Sequence, residues 1–256
     1  MKTVAVIPAR YASSRLPGKP LLRETGRCLI QHVCEQVAAA RGIDAVFVAT
    51  DDERIASAVA SFGGRAILTR ADHPSGTDRI CEALERIDGD DDQIVLNVQG
   101  DEPEIEPAAL EALIGRMRAE PGLNVATLAA PFPEELDPAD PSAVKVVLDA
   151  RGRALYFSRA RIPHPRDPEP DDPVARPLLH LGVYAYRRGF LRRFASWPPG
   201  VLERIEKLEQ LRLLERGEPI AVVRVERASV GIDTPQDYAR FVARWRARES
   251  HEASRP

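Results

Sequence analysis

The sequence is poor in several features that mark protein classes. Its three cysteines, Cys28, Cys34 and Cys81, cannot all pair and have no metal-ligand spacing, so they are expected to be reduced packing residues in a cytosolic setting. Neither charge is in excess. Thirty-six Lys and Arg face 39 Asp and Glu, a net charge of −3, and the signs are interspersed. A nucleic-acid or membrane-surface binder needs a basic excess that is absent here. No stretch approaches the roughly 18 consecutive apolar residues of a membrane span. The chain enters a strand at once, with Lys2 followed by TVAVIPA, so no leader segment is expected and the predicted location is the cytoplasm. Internal repeats and a GxGxxG fingerprint are also missing. Gly18–Lys19 is not a Walker loop, because it lacks the upstream glycine and is followed by Pro20.

What is present is an alternation of short apolar runs with longer segments of helical period, the pattern of parallel strands joined by crossover helices. Thr3–Pro8, Ala45–Thr50, Arg65–Thr69 and Ile94–Val98 read as buried strands. Leu29–Ala40, Glu53–Phe62, Thr77–Ile87 and Pro107–Arg118 read as the intervening helices. In the second half, Asn124–Pro131, Ala143–Asp149, Leu179–Tyr186 and Ile220–Val225 read as strands, and Leu202–Glu215 as one amphipathic helix. Ser229–Ile232 is strand-like, and a last helix is expected near Pro235, after Asp233–Thr234. Prolines crowd residues 162–177, which predicts an extended loop. The polar residues from Glu249 predict a frayed tail.

Three loops carry residues suited to an anionic ligand. The first strand runs into ARYASSRLPGKPL from Ala9, which groups Arg10, Arg15 and Lys19 with Ser13, Ser14 and Gly18. Loops beyond the carboxyl ends of strands form the ligand sites of α/β sheets. Clustered cations repel one another there unless an anion joins them, and free amides beside small residues suit phosphate oxygens. The second loop, TRADHPSGTDR from Thr69, offers Ser75 and Gly76 at a helix start with Arg79 nearby. It reads equally well as a phosphate or base contact and as an ordinary helix capped by Thr77. The third, NVQGDEP from Asn97, holds out Asp101 after a buried strand, and Asp233 is in a similar position later. Each is either a turn aspartate or one of two carboxylates for a magnesium ion that keeps phosphate oxygens and waters. In the second half Tyr156, Ser158 and Arg159 end a strand run, and His180 and Tyr184 lie four apart on one strand. Glu206, Glu209 and Gln210 are expected on one helix, with Glu206 sharing a face with each of the others. Such groups suit the hydroxyls and carboxylate of an acidic sugar, or a solvated surface.

Together with AVKVVLDARGRALYFSRARIP from Ala143, HLGVYAYR from His180, EKLEQLR from Glu206 and GIDTPQD from Gly231, these segments resemble, in order along nearly the whole chain, the 3-deoxy-manno-octulosonate cytidylyltransferase family. The resemblance implies an α/β nucleotide-diphospho-sugar transferase fold. That fold is Rossmann-like, with a mostly parallel central sheet, helices on both faces and a smaller sugar-binding and dimerisation part. It implies a single domain over 1–248, with 1–122 mainly nucleotide-binding, 123–230 mainly sugar-binding and dimerising, 231–248 returning to the metal site, and 249–256 a polar tail. The implied activity is transfer of CMP from CTP to 3-deoxy-D-manno-octulosonate (Kdo) for lipopolysaccharide synthesis, with Mg2+, by a homodimer that neither inserts in membranes nor binds nucleic acid.

By the same resemblance, Ala9, Arg10, Ser13, Arg15, Lys19, Ser75, Gly76, Arg79 and Gln99 face the nucleotide, with Arg10 and Lys19 catalytic. Asp101 and Asp233 hold the metal and are catalytic. Gln99, Arg159, His180, Tyr184, Glu209 and Gln210 face the sugar, Arg159 as the contact for its carboxylate. Leu179, where the family often has arginine, and the proline-rich stretch depart from the pattern. Another acidic sugar, such as 8-amino-Kdo, fits the same motifs. A related glycosyltransferase would need a DxD metal motif where this sequence has QGDE. A non-catalytic nucleotide-binding module is disfavoured because Arg10, Lys19, Asp101 and Asp233 are all present.

Overall fold

The computed structural model describes residues 2–12, 15–134, 136–166, 177–229 and 231–253. They divide into two compact units. The first unit comprises Lys2–Asp88, Asn97–Ala108 and the chain from Ser229 onward; the second comprises Gly89–Leu96 and Ala109–Ala228.

In the first unit, β1 (Thr3–Ala9), β2 (Ala45–Thr50) and β3 (Ala66–Leu68) pair in parallel in the order β3-β2-β1. The β1 side chains are almost all buried on both faces, as a helix-covered parallel strand requires. Crossovers run through α1 (Leu29–Ala39) and α2 (Glu53–Ser61), and α3 (Gly76–Leu84) follows β3. Asp52 caps α2 by accepting from Arg54 N at 2.9 Å. Ser75 caps α3, accepting from Asp78 N at 3.2 Å. Thr77, expected as that cap, is instead a buried residue of the helix, because Ser75 already meets the orphan amide. The closing helix α8 (Pro235–Ala253) joins a core of Leu29, Ile232, Tyr238, Phe241 and Val242.

The second unit holds β4 (Ile94–Asn97, entering the first unit at its last residue), α4 (Pro107–Ala119, from Ala109), β5 (Val125–Pro131), β6 (Lys145–Leu148), β7 (Ala154–Ser158), β8 (Leu178–Arg187) and β9 (Ala221–Arg224). The order is β4-β8-β5-β9, with β6 between β7 and β8. β5 is parallel to β9 and antiparallel to β8. Residues 109–122 group here, where the buried guanidinium of Arg187 donates to Met117 O at 2.6 Å and Leu123 O at 3.3 Å and so closes the end of α4.

Four local expectations are corrected. Leu202–Glu215 is not one helix but α6 (Val201–Glu206) and α7 (Leu211–Glu215). The break is at Lys207, whose φ of 54° is left-handed. No glycine or proline marks it in the sequence, so periodicity runs through it. Tertiary bonds from Arg159 to this turn hold the strained residue in place. Residues 187–201, given no element by the sequence, contain α5 (Arg188–Ser196). The described residues of 229–232 form no strand; Ile232 N instead donates to Asp101 O at 2.9 Å. The helix α8 continues past Glu249 to Ala253, where a frayed tail was expected. Of the proline-rich stretch, 167–176 lie outside the described residues.

Candidate active site

The first loop leaves β1 at Ala9 and folds back on itself, with Gly18 N donating to Tyr11 O at 3.1 Å. Gly18 has a φ of 67°, which favours glycine, and a Cβ there would meet the Tyr11 ring at 3.3 Å, a tight contact. The turn delivers Lys19 as the first residue of a short 3-10 turn, Lys19–Leu21, with Pro20 buried beneath it. The third loop approaches equally closely: a Cβ on Gly100 would lie 2.9 Å from Pro8 O. Asp101 is thereby set against β1. Asp233 arrives from the start of α8, where Asp233 N and Thr234 N both donate to Asp237 Oδ2, at 3.2 and 2.8 Å.

These three segments converge on one ammonium. Lys19 Nζ donates to Asp101 Oδ2 at 2.7 Å and to Ile232 O at 2.6 Å, and lies 3.5 Å from Asp233 Oδ1. Arg15 Nη2 is 3.0 Å from the same Asp233 oxygen. A cavity of about 320 Å³ is lined by Arg10, Arg15, Lys19, Gln99, Asp101 and Asp233 among others. Two cations and two carboxylates that are distant in sequence therefore share one concavity. Arg10 faces the cavity and donates Nη2 to His73 O at 2.9 Å. His73 is itself held by Glu82, which also accepts from Arg70 N. Gln99 Nε2 donates to Asn97 Oδ1 at 3.2 Å.

Ser75 and Gly76 open α3, and Arg79 lies one turn further, fully buried. Its Nη1 donates to Thr69 Oγ1 at 2.6 Å and lies 3.3 Å from Asp51 Oδ1, while Nε and Nη2 have no hydrogen-bond partner among the described residues. Burial lowers the Arg79 pKa from its ordinary value, with Asp51 opposing that shift. A buried guanidinium with donors to spare is costly unless a ligand accepts from them. Ser13 lies outside the described residues.

Sequence reasoning missed Glu102, although it stands beside Asp101 in the same motif. Burial raises its carboxyl to about 7, with the neighbouring charges of Asp101 and Asp233 adding to the shift. Asp51 and Thr69, which hold Arg79, were also missed; their only signal was their place at the ends of β2 and β3.

The residues expected to face a sugar all lie in the second unit, apart from Gln99. Thr127 Oγ1 donates to Val183 O at 2.8 Å, which leaves its oxygen to accept from His180 Nε2 at 3.0 Å. The His180 ring lies edge-on to Phe157 at 4.8 Å and 5.5 Å from Tyr184. Burial drives its pKa down to about 3, so the ring is neutral. His180 and Tyr184 share a side as expected, because two extra β8 residues opposite the Thr127–Leu128 step preserve the alternation. Burial raises the Tyr184 phenol well above its usual pKa.

Glu206, Glu209 and Gln210 do not share one helix. Glu206 ends α6, Glu209 is in the link, and Gln210 caps α7. Glu206 accepts from Ser158 Oγ at 2.7 Å and Arg159 N at 2.9 Å. Glu209 lies 3.5 Å from Arg212, and the buried Gln210 Nε2 has no partner among the described residues. Arg159 donates Nε to Glu206 O at 2.7 Å, Nη1 to Pro141 O at 2.8 Å and Nη2 to Lys207 O at 3.4 Å. Its guanidinium thus has a structural task that the sequence did not suggest.

Phosphate-suited cations and two carboxylates gathered by loops of an α/β fold suit the triphosphate chemistry of a nucleotidyltransferase. The model of the family described as Cytidylyltransferase matches residues 4–220. A curated 3-deoxy-manno-octulosonate cytidylyltransferase of Syntrophotalea carbinolica is 51% identical over 251 residues, covering 96% of this chain and 99% of the relative. The Escherichia coli protein of that name is 49% identical over 234 residues, with 91% and 92% covered. A solved structure of CMP:2-keto-3-deoxy-manno-octonic acid synthetase complexed with CTP superimposes with a TM-score of 0.89 at 47% identity, covering 97% of this chain and all (100%) of that one. The chain belongs to the 3-deoxy-manno-octulosonate cytidylyltransferase family and is a nucleotidyltransferase with that family's mixed α/β fold, built on a mostly parallel central sheet.

Proposed function

We propose that the protein transfers CMP from CTP to Kdo, releasing diphosphate and supplying CMP-Kdo for lipopolysaccharide synthesis. The observation that carries this reading is the Asp101–Lys19–Asp233 cluster inside a cation-lined cavity, in a chain about half identical to named Kdo cytidylyltransferases. The anomeric hydroxyl of the sugar attacks the α-phosphorus in line, forming the new P–O bond as the bond to diphosphate breaks. Arg10, Arg15 and Lys19 neutralise the triphosphate oxygens as charge moves onto the leaving group. The partnerless donors of Arg79 suit the acceptor edge of a pyrimidine beside the Ser75–Gly76 helix start. Gln210 offers its free amide to a sugar hydroxyl, His180 and Tyr184 bound the sugar with neutral groups, and Arg159, which uses only three of its five N–H donors on carbonyls, contacts the carboxylate.

Asp101 and Asp233 fit magnesium by donor chemistry: both are hard oxygen ligands. Such an ion completes its shell with phosphate oxygens and waters. When bound, magnesium would supply charge neutralisation across the triphosphate. A cytoplasmic location is supported by the three free cysteines, and no described helix is long and apolar enough to cross a membrane. A homodimer formed through the second unit is supported by exposed Leu155, Val201 and Ile205, which all lie there.

The test is diphosphate release from CTP with a panel of acidic sugars. Kdo is expected to be turned over well ahead of sialic acid, and CTP ahead of ATP and GTP. Equal rates with all nucleotides sink the cytidine assignment, and a preference for 8-amino-Kdo replaces the sugar.

A further inference from the structure

We infer that Lys19 is an exchangeable internal counter-ion: its ammonium holds the place that a divalent ion takes between Asp101 and Asp233, so the metal enters only as the triphosphate draws Lys19 away. This rests on the nucleotidyltransferase reading above and adds an order of binding to it.

An ammonium has three N–H donors. Those of Lys19 face Asp101 Oδ2 at 2.7 Å, Ile232 O at 2.6 Å and Asp233 Oδ1 at 3.5 Å. The side chain is only 13% exposed. In this geometry no Lys19 donor remains for a phosphate, although the residue lines the same cavity as Arg10. Holding both carboxylates and contacting triphosphate are therefore two different positions of one side chain.

The charges make the exchange directional. Lys19 and Arg15 contribute two positive charges in contact with the two negative charges of Asp101 and Asp233. These four groups cancel in charge, and a lone divalent ion meets two cations as well as two carboxylates. A triphosphate attracts both cations toward itself and leaves the carboxylate pair uncompensated, which a divalent ion then neutralises. The backbone does not have to move. Gly18 and the buried Pro20 fix it on either side of Lys19, while the four-carbon stem lets the ammonium travel. Lysine is also the right cation for this task, since a guanidinium could grip a carboxylate by two parallel bonds and release it less readily.

The experiment measures Mn2+ binding by electron paramagnetic resonance, first without nucleotide and then with a non-hydrolysable CTP analogue. Without nucleotide, Lys19→Met is expected to bind Mn2+ about tenfold or more tighter than wild type, since one unit of positive charge in contact with the site has gone. Lys19→Arg is expected to show no gain. With the analogue present, wild type is expected to tighten strongly and the gap between wild type and Lys19→Met to close. Equal or weaker Mn2+ binding by Lys19→Met without nucleotide overturns the exchange.

A wild-type measurement covers the case in which that variant does not fold. Mn2+ alone should leave the melting temperature nearly unchanged, and Mn2+ with the analogue should raise it; equal shifts in both conditions overturn the proposal. The parent reading fails differently. If Asp101→Asn leaves Mn2+ affinity intact with the analogue bound, the metal assignment itself is wrong. If Asp101→Asn loses affinity while Lys19→Met gains none, only the exchange is wrong.

Discussion

In the first unit, the loop cations Arg15 and Lys19 lie against the carboxylates of Asp101 and Asp233, residues some 80 to 220 positions away in sequence. In the second unit, Lys145 and Arg159 donate to main-chain carbonyls instead. Lys145 Nζ, fully buried, donates to Asp140 O, Ala143 O and Arg159 O, and Arg159 in turn donates to Pro141, Glu206 and Lys207 carbonyls. The difference separates two uses of positive charge. A carboxylate and a cation can each exchange partner when a phosphate or a metal arrives, so the first arrangement stores ligand-binding capacity. A carbonyl has no such substitute inside a packed loop, so the second arrangement fixes backbone shape.

Two substitutions test that separation at its extremes. Asp101→Asn removes half of the carboxylate pair and is expected to lower kcat by about two orders of magnitude or more. Its effect on stability should stay within about 1 kcal/mol, because the partly exposed ion pair it breaks contributes little to folding. Steady-state kinetics beside a urea titration separates the two, and near-normal turnover at limiting magnesium removes Asp101 from the metal site. Lys145→Met should do the reverse. Methionine replaces the volume but leaves three carbonyls without their donor, for a loss of about 3 kcal/mol in unfolding free energy. The KM for CTP should be unchanged in whatever protein remains folded. Stability within experimental error of wild type would mean that the buried ammonium is not organising the loop.

The same separation explains what the sequence made legible. The nucleotide side could be read because its chemistry is concentrated in short segments that follow buried strands. Runs such as Val4–Ile7 announce the strand, and Arg10 stands directly after one, with Lys19 and Asp101 in the loops that follow β1 and β4. The boundaries there shifted by only a few residues, mostly at the C-terminal ends of the helices, and the start of α3 moved by one residue to follow its cap, Ser75. The second half resisted because its determinants are bonds between distant segments. Nothing local in ERIEKLEQLR shows that Lys207 adopts a left-handed conformation; the guanidinium of Arg159 ends that helix from 48 residues away. The bonds of Arg159 to three carbonyls were equally hidden, because side-chain bonds to the main chain leave no pattern in a sequence. The sequence marks Gln210 as sugar-facing, but its buried amide, without a partner among the described residues, is visible only with the break between α6 and α7 resolved.

Arg159→Lys sharpens the comparison at an intermediate scale. An ammonium cannot span the carbonyls of Pro141, Glu206 and Lys207 as the planar guanidinium does. The turn that carries Glu209 and Gln210 should loosen, raising the KM for Kdo by about tenfold, with the KM for CTP little changed. A change in the CTP constant alone places Arg159 on the wrong substrate, and silence for both means that neither the turn nor the carboxylate depends on it.

The smallest expected effect concerns His180, where the second unit excludes charge instead of using it. The ring donates Nε2 to Thr127 and is enclosed by Phe157 and Tyr184, and burial drives its pKa from 6.5 to about 3. An unfolded chain takes up a proton on this residue as pH falls through 6.5, while the folded chain refuses it. The contribution of His180 to stability is therefore complete above pH 6.5 and is lost progressively as pH falls toward 3. Between pH 7.5 and 5.5 the loss is about 1 kcal/mol. His32, which burial also lowers, and Glu102, which burial raises, titrate in the first unit and are common to wild type and a His180→Gln variant. Their contributions cancel in the difference between the two proteins. Urea unfolding at both pH values should show wild type losing about 1 kcal/mol more than His180→Gln on acidification. Parallel losses would mean that the imidazole is protonated inside the fold. His180 would then be a cation, available to the sugar carboxylate, and the contrast between the two units would have to be redrawn.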